Sequence, residues 1–255
     1  MSNNDLFTPE KMLEEQAHIQ SKMERGEYSE NQDLGDFGAY YALKHNLPMA
    51  EKWIQAHGLS GQAAELYVAN FKNDCTKAHC ILDVGCGAGF ITNALKKAHP
   101  QAEVMGIDLA LDGIEFAKES FKECSFMQIA VDEKLNLNRT FDVVHVREFY
   151  PFTRIDDWDM MRDILKALLK HVSPGGTLIV INATPPHLMA HNLFRYYDRI
   201  NTDPLFVDYK ISRHRMSRIK VMERLGTGIA ARIGSYIADV LIGNPTTIMR
   251  MKSKG

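Results

Sequence analysis

The sequence predicts an α/β protein: a doubly wound, mostly parallel sheet with helices on both faces and a helical cap at the amino terminus. Three observations carry this expectation. Short apolar runs at 80–84, 103–109, 125–131, 141–146 and 177–181 alternate with helical patterns at 90–98, 111–121 and 155–171. Repeated β-then-α units of this length imply parallel strands joined by right-handed crossovers. The run Leu178-Ile179-Val180-Ile181 is apolar without alternation, as a strand covered on both faces requires.

The third observation is the contrast with the first 74 residues, which carry helical periodicity and no strand candidate. Thr8 followed by Pro9 starts a helix, since proline suits the first helical position. A helix over 49–57 ends at Gly58, and another follows Ser60 with Ala63, Leu66, Tyr67 and Phe71 at helical spacing. Between them, residues 26–47 hold Tyr28, Phe37, Tyr40 and Tyr41, too many aromatics for a linker. Beyond Pro185 the pattern reads as helix over 187–200 and again over 216–241. Asn244-Pro245 then breaks the chain before a last strand at 246–251. The expected division is therefore a cap or lid over 1–78 and an α/β domain over 79–255, with 185–255 supplying its final helices and strand.

Composition excludes several classes. Hydrophobic residues make up 45% and charged residues 24%, with a formal net charge of −2, so no global field favours nucleic acid or an anionic membrane. No apolar run approaches the roughly 20 residues of a membrane span. Residues 1–5 lack the basic-then-apolar pattern of a signal peptide, and the expected location is cytoplasmic, with no membrane partner. Cys75, Cys80, Cys86 and Cys124 form no CxxC pair. Cys75 and Cys80 flank His79 without a second ligand pair, so no metal is expected.

Chemistry enters at Ile81-Leu82-Asp83-Val84-Gly85-Cys86-Gly87-Ala88-Gly89-Phe90, which closes a strand and opens a helix. Glycines let the backbone turn sharply and approach a ligand, and the helix start offers unpaired N–H groups. Glycines at 85, 87 and 89 miss the G-x-G-x-x-G dinucleotide spacing, and the Gly-Lys-Ser/Thr ending of a phosphate loop is absent. Asp108 ends the next apolar run, where a carboxylate can accept hydrogen bonds from both ribose hydroxyls.

An acid two residues before G-x-G-x-G resembles the first motif of the class I, Rossmann-like S-adenosylmethionine-dependent methyltransferases. Phe141-Asp142-Val143-Val144 resembles their fourth-strand motif, and Pro174-Gly175-Gly176 their turn before strand five. The likeness spans roughly residues 79–182. It implies a seven-stranded sheet and S-adenosylmethionine as cofactor, leaving S-adenosylhomocysteine as product. It also implies a loop of Gly85, Cys86 and Gly87 around the amino-acid end of the cofactor. Asp83 would then hold the ammonium, Asp108 the ribose and Leu109 the adenine face. Val131 and Asp132 would lie at the adenine edge, with Val146 and Arg147 completing the cofactor site at the end of strand four.

The acceptor side should lie just beyond that strand, at His145-Val146-Arg147-Glu148-Phe149-Tyr150-Pro151-Phe152. The segment lacks the Asn/Asp-Pro-Pro-Tyr/Phe signature of base-amino methylation and the proline–cysteine pair of cytosine C5 chemistry. Asp156, Asp157 and Asp159 read as acids in the first turn of a helix. In-line transfer to a lone pair needs alignment and at most one polar group at the acceptor. Glu148, His145 and Tyr150 are the candidates. Glu148 with Tyr150, Phe152, Tyr40 and Tyr41 would frame a cationic acceptor such as an amine or guanidine. The expected activity is N- or O-methylation of a small molecule, with oligomeric state left open. Two alternatives stay open. One is an RNA or protein methyltransferase using the basic stretch Lys210, Arg213, His214, Arg215, Arg218 and Lys220. The other is a non-catalytic S-adenosylmethionine-binding module.

Overall fold

The computed structural model describes residues 8–28, 35–57, 61–183, 192–242 and 245–254. Its centre is a seven-stranded sheet in the order β3-β2-β1-β4-β5-β7-β6. The strands are β1 (Cys80–Val84), β2 (Glu103–Asp108), β3 (Ser125–Gln128), β4 (Phe141–Arg147), β5 (Val172–Ala183), β6 (Tyr209–Arg215) and β7 (Thr246–Ser253). Neighbours from β3 to β5 pair parallel, whereas β7 pairs antiparallel with both β5 and β6. The sheet is therefore mixed, with β7 the reversed strand. β7 follows β6 in the chain after two helices and lies between β5 and β6 in the sheet.

The amino-terminal helices are α1 (Pro9–Glu24), α2 (Gly35–Lys44), α3 (Met49–His57) and α4 (Gly61–Ala69). Thr8 caps α1 through its hydroxyl, with Pro9 in the first turn, as the Thr-Pro pair predicts. The crossovers are α5 (Phe90–Ala98), α6 (Leu111–Ser120), a short α7 (Tyr150–Arg154) and α8 (Trp158–Leu169). Asp157 accepts from the backbone N–H of Met160 and so begins α8 three residues later than the sequence pattern suggests. Asp159 sits in the first turn, while Asp156 binds Arg195 and the Tyr196 hydroxyl.

One face of the sheet carries Ile81, Val143, Ile179 and Ile181 against α4 and α5. The opposite face carries Leu82, Val84, Val144, Val146 and Val180 against α8 and the segment around Phe194, Ile200 and Phe206. Both faces are thus covered, as the unbroken apolar strands require. The predicted helix over 187–200 lies partly outside the described residues; its described part forms a 3-10 turn at Leu193–Tyr196 and the start of α9 (Tyr197–Thr202). The predicted helix over 216–241 is two helices, α10 (Ile219–Leu225) and α11 (Ile229–Ile242), separated where Gly226 adopts φ +73. The unforeseen strand is β6, whose half-exposed, basic residues lack an apolar alternation. The expected helix stop at Gly58 and the helix start after Ser60 fall outside the described residues.

Candidate active site

The chain runs outward from β1 to β3 and returns to β4 on the other side of β1. In such sheets the crevice for ligands opens at the carboxyl ends of the strands flanking that switch. Gly85, Gly87 and Gly89 all adopt positive φ there, which side chains rarely tolerate. The loop is pinned to β2: the N–H groups of Gly85 and Cys86 both donate to the Ile107 carbonyl. α5 then starts at Gly89 with no side-chain cap and no acid in its first turn, leaving its N–H groups for an anionic ligand.

Asp108 faces this loop. One carboxylate oxygen accepts from the Gly87 N–H at 2.8 Å and the other from the Ala110 N–H at 2.8 Å. Burial pushes its carboxyl above the usual range, against the pull of the Ala110 and Gly87 N–H groups. Leu109 beside it is half-buried. A Cβ on Gly113 would come within 3.0 Å of the Gly87 oxygen, so α6 closes directly on the loop. Glycine loop, uncapped helix start and inward acid together fit the amino-acid and ribose ends of S-adenosylmethionine.

Asp83 sits beneath the loop in a buried chain of hydrogen bonds. Its Oδ1 accepts from His145 Nδ1 at 2.7 Å and its Oδ2 from the Thr92 hydroxyl at 2.6 Å. His145 Nε2 lies 2.8 Å from the Tyr67 hydroxyl, and its ring stacks on Phe71 at 5.1 Å. Arg147 lies over the Tyr67 ring, 5.0 Å from its centroid. Both ring nitrogens of His145 are thus engaged inside the protein, and the side chain has no exposed surface. Val146 points to the other face and is buried in the core. Tyr67 and Thr92 have no local sequence signal: they meet His145 and Asp83 only because α4 and α5 pack on the same sheet face.

Beyond β4 the backbone reverses at Glu148, a non-glycine residue at φ 46, a conformation that costs on the order of 1–3 kcal/mol. Its N–H donates to the Ile181 carbonyl at 2.9 Å, which locks the reversal onto β5. Phe149 consequently reaches the loop, 3.5 Å from where a Cβ on Gly85 would stand. Glu148 itself is exposed and Tyr150 half-buried, and burial raises the Tyr150 phenol above its ordinary value.

The expected aromatic frame does not assemble. Phe152 is fully buried in the sheet core, and Tyr41 is buried among the amino-terminal helices against His45. Tyr40 instead leaves α2 and presses on the glycine loop, where a Cβ on Gly87 would collide with its hydroxyl. Asp132 uses its carboxylate to accept from the Lys134 N–H at 2.8 Å, and Val131 packs at the core margin. The expected third strand accordingly ends at Gln128. Among the described residues no group of three or more His, Cys, Asp or Glu is disposed to hold a metal ion.

This fold and loop define a class I, Rossmann-like, S-adenosylmethionine-dependent methyltransferase. The chain belongs to the methyltransferase-domain family whose model matches residues 76–211. It is 30% identical over 100 residues to a malonyl-[acyl-carrier protein] O-methyltransferase of Priestia megaterium, covering 39% of this chain and 35% of that protein. It is 33% identical over 118 residues to a ubiquinone biosynthesis O-methyltransferase of Rickettsia conorii, covering 44% and 38%. The matched part thus spans less than half the length of these curated relatives. In architecture it is similar to the plantazolicin methyltransferase BamL in complex with a triazolic analogue and SAH. That likeness has a TM-score of 0.55 at 11% identity and covers 84% of this chain and 94% of the other.

Proposed function

We propose that the protein transfers the methyl group of S-adenosylmethionine to an oxygen or nitrogen of a small or carrier-borne acceptor by direct in-line displacement. The observation that carries this reading is the glycine turn at 85–89 with Asp108 hydrogen-bonded into it. Bound S-adenosylmethionine supplies an electrophilic methyl group on its sulfonium. The loop and Asp108 hold and orient that cofactor, while Phe149 and Tyr40 exclude water from the loop. Glu148, at the carboxyl end of β4, orients the acceptor or takes its proton. The Priestia megaterium and Rickettsia conorii relatives are both named O-methyltransferases, which favours oxygen as the accepting atom. The region 1–78 acts as the lid, since Tyr40 already rests on Gly87 and Gln16 of α1 accepts from the Leu111 N–H.

Calorimetric titration with S-adenosylmethionine, followed by a radiolabelled methyl-transfer screen, tests the reading. Wild type binds the cofactor and labels an acceptor. Glu148→Gln retains cofactor affinity within about twofold and loses roughly a hundredfold or more in turnover, the usual scale of a lost acid–base group. Unchanged turnover would remove Glu148 from the mechanism, and absence of cofactor binding in wild type would end the reading as a whole.

A further inference from the structure

Helix α11 is amphipathic in the wrong direction. A surface helix normally turns its apolar stripe to the protein and its polar residues to water. Here Ala231, Ser235 and Asp239, at i, i+4 and i+8, face the protein and are buried. Ser235 accepts from the Arg218 N–H at 2.8 Å, and Asp239 pairs with the Arg218 guanidinium at 2.6 Å. The outward stripe is Ile229, Ile233, Tyr236 and Val240, at i, i+4, i+7 and i+11, exposed by 75%, 58%, 60% and 64%. Leu225 of α10 extends the patch. Contiguous apolar surface of this kind marks a docking face rather than scattered exposure.

Charge identifies what docks. Residues 210–242 hold seven Lys or Arg against two acids, a net +5, within a chain of net −2. One of those two acids, Asp239, is buried in its ion pair. Arg215 lies over the Tyr236 ring at 5.3 Å, at the very margin of the stripe. Lys220 and Arg224 line a cleft of about 370 Å³ between α10 and α11 with Val221, Leu225 and Gly234. A second copy of this chain placed stripe on stripe would oppose like charges. An anionic bilayer surface satisfies both features at once, with apolar residues in the interface and cations at the headgroups. Among the described residues no helix is long and apolar enough to cross a membrane, and α11 would lie along the surface.

We propose that α10 and α11 form a peripheral docking face for anionic lipid membranes. The test is co-sedimentation of the full chain with vesicles of phosphatidylcholine, with or without phosphatidylglycerol. Wild type pellets with the phosphatidylglycerol vesicles at low salt and is released by added salt. Lys220→Glu with Arg224→Glu weakens this binding roughly tenfold or more, and Ile233→Glu with Val240→Glu abolishes it. All four positions are exposed, and unchanged S-adenosylhomocysteine affinity shows that the variants remain folded. Failure of wild type to pellet with anionic vesicles overturns the proposal. So does equal binding to neutral vesicles, or a dimer that Ile233→Glu with Val240→Glu dissolves. RNA binding lost in Lys220→Glu with Arg224→Glu, without vesicle binding, also overturns it.

Discussion

Asp108 braces the loop through the Gly87 N–H, and in the proposed function its remaining lone pairs would take the ribose hydroxyls. The ionised form is acceptor-only at both oxygens, whereas protonation turns one of them into a donor and weakens it as an acceptor. Because burial raises its pKa, protonation sets in at higher pH than for an ordinary aspartate. Affinity for S-adenosylhomocysteine is therefore full above that raised value and falls as the pH drops through it. A calorimetric pH series on wild type should show this decline, and Asp108→Asn should bind more weakly with a flatter profile. Matching slopes in the two proteins would exclude Asp108 as the titrating group.

At the scale of elements, the buried chain from Tyr67 through His145 and Asp83 to Thr92 joins α4, β4, β1 and α5. Burial keeps the Tyr67 phenol well above its ordinary value despite the opposing Arg147, so its hydroxyl keeps its proton. Tyr67→Phe leaves His145 Nε2 without its partner in a region closed to water. The expected loss is about 1–3 kcal/mol of unfolding free energy, measured by denaturant titration. A change below about 0.5 kcal/mol would show that the contact contributes little. Lys44 is a second tether, from α2. It reaches Asp112 at 2.8 Å and Glu115 at 2.5 Å, and these partners raise its pKa, holding α2 on α6.

For the whole molecule, α1 and α2 touch the cofactor loop and α6 through Gln16, Tyr40 and Lys44. As the proposed lid, this region would move for the cofactor to enter and would close on the bound cofactor. Hydrogen exchange should slow in α1 and α2 when S-adenosylhomocysteine binds, together with the loop at 85–89. Tyr40→Ala should weaken the protection of α2 and speed both association and dissociation of the ligand. Protection confined to the loop, with α2 unchanged, would show that the helices are static scaffolding.

Much of this organisation is local and therefore legible in the chain. Strand and helix periods, the Thr8-Pro9 start and the glycine spacing at 85–89 each depend on neighbouring residues, so the α/β core, the cofactor loop and Asp108 follow from the order of amino acids. The remainder depends on packing between distant segments. His145 and Asp83 stand 62 positions apart, and Tyr67 and His145 78; sheet register and helix docking bring them together. Phe152 and Tyr41 read as acceptor contacts because aromatic residues look alike in sequence, and burial assigns them to the core. β6 leaves no signature because an edge strand facing solvent needs no apolar alternation, and the reversal of β7 is set by its sheet neighbours. The same holds for α11. Its period is plain in the sequence, but which stripe meets the protein is decided by Arg218 reaching Asp239, an ion pair that the tertiary structure creates.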